Sequence, residues 1–150
     1  MAQTFALNML REIAETQTES AAANLGTLMR QLQQQEAKLT LLLDYREDYR
    51  QRLARAGERG LDAAGLRNFY DFLERLEQAV SQQQSAIAEA RGKVEGGRRD
   101  WQVKQRKFKA FDTLAQRSDM AVQKREACRE QKLQDEFASR SGHAKSQTRR

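Results

Sequence analysis

From Leu25 onward the apolar residues fall in a row whose steps alternate three and four: Leu25, Leu28, Leu32, Leu39, Leu42, Tyr49, Leu53 and Ala56, with Gln35 and Arg46 in the remaining places. Such a heptad row belongs to a helix that offers one narrow stripe to a partner helix, whereas a half-buried strand would repeat every second residue. A second row runs through Phe69, Leu73, Leu76, Val80, Gln83, Ile87, Ala90, Val94, Gly97, Trp101, Lys104, Phe108, Phe111, Ala115, Ser118 and Val122. No proline, the strongest helix breaker, occurs anywhere in the 150 residues. Between the rows, Gly57, Gly60 and Gly65 cluster around Asp62, a residue suited to cap a helix N-terminus. The pattern predicts an all-α hairpin over 1–137, with helix 4–56, turn 57–65 and helix 62–137. The first helix would be about 80 Å long at the usual rise per residue.

Two heptad helices joined by a short turn fold back as an antiparallel coiled coil. With the fold at Leu61, Leu53 faces Phe69, Leu42 faces Val80 and Leu32 faces Ala90, while Leu25 faces Gly97. Trp101 then meets the run Ala21-Ala22-Ala23, and Phe108 meets Ala14, so large residues repeatedly oppose small ones, as close packing requires. Upstream of Leu25, the residues Leu7, Leu10, Ala14, Gln17 and Ala21 continue the row in a slipped phase. Gly92, Gly96 and Gly97 are candidates for close backbone approach, and Gln35, Arg46, Gln83 and Lys104 are polar seam residues that disfavour wrong registers. Residues 138–150 have no apolar period and are expected to form a disordered basic tail.

The seam has to be thin, because 39% of residues are hydrophobic, 32% charged and only 7% aromatic, with a mean hydropathy of -0.89. No candidate catalytic constellation emerges. The single histidine, His143, lies in the expected tail without convergent Cys, Asp or Glu, so neither a metal nor a cofactor is expected. Cys128 is the single cysteine and has no histidine base placed to activate it. The glycine cluster lacks the preceding strand of a phosphate-binding loop. The N-terminus carries no signal-peptide pattern, and no apolar run is long enough to span a bilayer, so a cytoplasmic location without direct membrane insertion is expected.

Two features stand out as contact surfaces. Lys38, Leu42, Tyr45 and Tyr49 on the first helix, and Phe72, Leu76, Ala79 and Gln83 on the second, each follow steps of four, three and four. In the register above these stripes merge on one side of the hairpin beside the turn, giving more aromatic surface than a two-helix seam buries. The second feature is charge. Met1 to Leu61 carries eight basic and eight acidic residues, whereas Arg91 to Lys109 carries eight basic against two acidic, within a net charge of +6. Arg98, Arg99, Lys104, Arg106, Lys107 and Lys109 therefore form a candidate anionic docking face. A basic helical nucleic-acid-binding protein is the alternative reading. Trp101 and Phe108 fall on the seam, however, so they are unsuited to stack on bases and an acidic protein is the expected partner.

The ordered set Leu42-Leu43-Asp44-Tyr45, Tyr49-Arg50, Asn68-Phe69, Phe72, Leu76-Glu77, Ala79-Val80 and Asp135-Glu136-Phe137-Ala138 resembles the FliJ family of flagellar export proteins, over nearly the whole chain. The resemblance implies a non-enzymatic, stalk-like hairpin similar to the central stalk subunit of rotary ATPases. It implies a protein of the bacterial flagellar type III export apparatus, peripherally associated with the inner membrane. The implied partners are the hexameric export ATPase, whose ring the termini enter, the cytoplasmic domain of the export-gate protein FlhA, and export chaperones. By position, Leu42, Tyr45, Tyr49, Phe72, Leu76 and Ala79 match the family's gate-binding patch, while Lys38 and Gln83 stand where the family usually has glutamine and histidine.

Overall fold

A computed structural model describes residues 2–148, and within them the chain consists of two helices, α1 (Ala2–Arg59) and α2 (Ala63–Thr148). The turn between them works as its residue types dictate. Gly60 takes φ +86°, the left-handed conformation that ends a helix at no steric cost to glycine, and its N–H bonds the Gly57 carbonyl at 3.3 Å. Asp62 then caps α2, its Oδ1 accepting the Gly65 N–H at 2.9 Å while its carbonyl accepts the Leu66 N–H at 3.0 Å.

The chain divides into two compact units, one of Glu19–Val103 and one of Met1–Thr18 with Lys104–Arg150. In the first, the turn-proximal unit, α1 and α2 pack antiparallel, with Ala21, Leu76, Val80, Ile87 and Val94 buried. Pairing is symmetric about Leu61, as the row-matching predicts. A Cβ built on Gly97 would lie 2.8 Å from Leu28 Cδ1 and 3.8 Å from Leu25 Cα, so the absence of a side chain at Gly97 is what lets the backbones approach. Gly92 and Gly96 have open space instead. The seam's polar places are occupied too. Gln83 Nε2 donates to the Gln35 carbonyl at 2.8 Å and to its Oε1 at 2.7 Å, which ties the two helices at one position and resists slippage.

In the second, the terminal unit, Ala14 and Ala115 are buried, and Thr4 and Ser118 share a hydroxyl hydrogen bond of 2.7 Å across the seam. Arg11 bridges Asp112 at 3.5 Å. These contacts correct the expected phase slip. The row runs unbroken through Thr4, Leu7, Arg11, Ala14 and Thr18, all buried or half-buried, while Leu10 and Gln17 are exposed. Apolar periodicity alone does not mark this row, because the seam here accepts polar residues that pair across it.

The helices also exceed their expected bounds. α1 begins at Ala2 and runs to Arg59, and α2 passes Phe137 and continues to Thr148 through the segment expected to be disordered; Arg149 and Arg150 lie outside the described residues. From Gln123 to Gln147 every residue is exposed, so no tertiary burial supports this stretch. Its helicity rests on local terms: no proline, and side-chain pairs such as Gln131 Nε2 donating to Asp135 Oδ1 at 3.3 Å, one turn apart.

Candidate protein-docking surface beside the turn

Within the turn-proximal unit, Tyr49 is the residue that joins the two helices' aromatic stripes. It lies on the seam side of α1, and its ring meets Phe69 at a centroid distance of 5.1 Å and Phe72 at 4.3 Å, both tilted. Tilted contacts at these separations suit the ring quadrupoles and fix Phe72 against α1. Tyr45, one turn before Tyr49, remains 60% exposed, and Phe72 is 45% exposed. Phe72 is thus held at the surface by a ring that is half-buried beneath it, and Tyr45 is exposed one turn before that ring.

The eight residues expected here divide into two sets. Lys38, Tyr45 and Phe72 are exposed, and Leu42, Tyr49 and Ala79 are half-buried at the edge of the seam. Leu76 is buried in the core, and the Gln83 amide is engaged with Gln35, so these two support the surface from beneath. Leu41, 55% exposed and one turn before Tyr45, extends the patch and was missed. Its signal was available: it continues the Tyr45 row by one step of four, but lies outside the heptad stripe that guided the reading.

The other side of the same unit carries ion pairs. Glu77 accepts from Arg46 at 3.3 Å and from Arg50 at 3.0 Å, and Glu36 pairs with Arg91 at 3.6 Å. These groups are partly exposed, so each pair contributes little to stability, on the order of 0–1 kcal/mol.

The six residues expected as an anionic docking face divide between the two units. Arg98 and Arg99 lie in the turn-proximal unit and are exposed. In the terminal unit, Lys104 is half-buried on the seam side, and Arg106, Lys107 and Lys109 are exposed at positions spread round α2 by its turn of roughly 100° per residue. Trp101 and Phe108 are half-buried, each within its own unit. Among the described residues no group of three or more His, Cys, Asp or Glu side chains is placed to hold a metal ion. Cys128 and His143 are both exposed on the unpaired part of α2. No described helix is long and apolar enough to cross a membrane.

The family described as Flagellar FliJ protein matches residues 3–147. Flagellar FliJ proteins of Escherichia coli (strain K12) and of Salmonella typhi are each 33% identical over 145 residues, covering 97% of this chain and 99% of theirs. A solved structure described as a YscO homologue from Chlamydia trachomatis is 14% identical and superposes with a TM-score of 0.50, covering 98% of this chain and 95% of that one. At that identity the likeness speaks for the fold alone. With one family matching nearly its whole length and relatives a third identical across nearly all of theirs, this chain belongs to the flagellar FliJ protein family.

Proposed function

We propose that this protein is a non-enzymatic coupling component of flagellar protein export, which enters the ring of the export ATPase with its terminal part, promotes ring assembly, contacts the export gate through its turn-proximal patch and binds export chaperones. Family membership carries the general assignment to flagellar export. The observation that carries the finer reading is the patch of Leu41, Tyr45 and Phe72, exposed beside the turn with Phe72 braced by Tyr49, although a two-helix seam has no use for it. Exposed aromatic groups over a packed base are what protein interfaces draw on. The terminal unit adds exposed apolar groups of its own, Phe5, Met9 and Ile13 in a row of fours on α1, beside a seam in which Thr4 pairs with Ser118 and Arg11 with Asp112. Such a unit has apolar surface to bury against a second protein, and this supports the ATPase contact.

The test is a pull-down with the export ATPase and with the cytoplasmic domain of the gate protein FlhA, followed by ATPase rates with and without this chain. Retention by both and a faster, assembly-dependent ATPase are expected. A chain that neither binds the gate domain nor alters the ATPase would overturn the proposal.

A further inference from the structure

In the terminal unit the charges of α2 are sorted by face. Between Lys104 and Lys132 its carboxylates are Asp112, Asp119, Glu126 and Glu130, in steps of seven, seven and four that keep them in one row. At roughly 100° per residue, the cations Arg106, Lys107, Arg117, Lys124, Arg125 and Lys132 fall within roughly 60° of a line through Ala121, and every one of those carboxylates is roughly 140° or more from it. Lys109 lies outside this face. Ala110, Leu114 and Cys128 share the centre line with Ala121; Arg106, Arg117 and Lys124 stand on one flank of it, Lys107, Arg125 and Lys132 on the other. All ten residues are exposed, and Ala121, Lys124, Arg125, Cys128, Arg129 and Lys132 line one shallow groove. α1 completes the division. Asn8 and Asp119 line a common cleft, so this side of α1 borders the carboxylate row of α2, and Glu12 and Glu15, four and seven residues after Asn8, continue it. The cation side thus carries no carboxylate of either helix within the unit until Asp135 and Glu136 end it.

We infer that this face lies flat on an anionic lipid surface, with the uncharged line of Ala110, Leu114, Ala121 and Cys128 toward the headgroups and the cations of both flanks on the lipid phosphates. From Arg106 to Lys132 the face is about 40 Å long, and a plane of negative charge meets both flanks over that whole length at once. Clusters of this many Lys and Arg on one helix are drawn to anionic headgroups, and the carboxylates, kept on the opposite side, are spared the repulsion. The small side chains of the centre line let the helix lie close without inserting. A nucleic acid is served less well, because Phe108 and Phe111 are half-buried and no ring stands among the six cations to stack on bases. The contact is made by the chain whose terminal part is free of the ATPase ring, and it does not depend on the ring reading.

The experiment measures retention of the full chain by sedimented vesicles of phosphatidylcholine, and of an equimolar mixture of phosphatidylcholine and phosphatidylglycerol, over a range of salt concentrations. Wild type is compared with a face variant, Lys124→Gln, Arg125→Gln and Lys132→Gln combined, whose positions are exposed and free of tertiary burial. A control, Arg55→Gln, Arg59→Gln and Arg67→Gln combined, removes the same charge from exposed positions of the other unit. Wild type is expected to bind the mixed vesicles at low salt, to leave them as salt rises, and to bind phosphatidylcholine alone weakly. The face variant is expected to bind the mixed vesicles about tenfold or more weakly, and the control within about twofold of wild type. Wild type that ignores the mixed vesicles, or binds both kinds alike, overturns the inference. So does a control that weakens as much as the face variant. Retention of wild type on duplex DNA with the vesicles ignored gives the face to a nucleic acid and overturns it too.

Discussion

Gly97 and Gly96 are adjacent, yet only one of them is needed by the fold. Gly97 is buried against Leu25 and Leu28, whereas nothing lies within 4 Å of a Cβ at Gly96. Gly96→Ala is therefore expected to stabilise the protein by about 1 kcal/mol through helix propensity alone. Gly97→Leu forces the helices apart and is expected to destabilise it by about 1–3 kcal/mol. Urea unfolding followed by circular dichroism checks both, and equal shifts for the two variants would refute the close approach at Gly97. The Gln35 and Gln83 pair is the polar counterpart of this contact: a half-buried amide that finds its partner in register and would lose it on slippage.

At the scale of the elements, the turn and the main seam were legible because their chemistry is local or periodic. Gly60 and Asp62 announce the stop and restart, and Asp62→Ala is expected to cost about 1 kcal/mol by leaving the Gly65 N–H without its acceptor, measured as a lower thermal midpoint. The antiparallel register followed from matching Leu25 to Gly97, since a large residue must face a small one. Legibility failed where the seam departs from apolar periodicity. Leu10 drew the row away from Arg11, whose guanidinium enters the seam because Asp112 is there to receive it, a fact that sits a hundred residues away in sequence. The end of α2 was misjudged for another reason: the lack of an apolar period removes the argument for burial, and a proline-free chain stays helical without it. The candidate site was half legible. Tyr45, Tyr49 and Phe72 were visible as a stripe wider than a seam, but which members would be covered depended on the packing of Leu76 and on the engagement of Gln83, and neither is written in spacing alone.

For the whole molecule, the net charge of +6 and the thin core describe a chain that keeps its surface for contacts more than for self-burial. Membership of the flagellar FliJ family gives those contacts a setting, and the physical chemistry of the two units says which surfaces have something to offer. In the turn-proximal unit it is the exposed group of Leu41, Tyr45 and Phe72; in the terminal unit it is the apolar row of Phe5, Met9 and Ile13. The claim that the patch is a docking surface is tested most directly by titrating the gate's cytoplasmic domain with the triple variant Tyr45→Ala, Tyr49→Ala and Phe72→Ala, with helicity measured on the same samples. Loss of binding by at least about a hundredfold with helicity retained is the expected result, since truncating interface aromatics costs roughly 2 kcal/mol or more each. Binding equal to wild type by a variant that is still helical would contradict it.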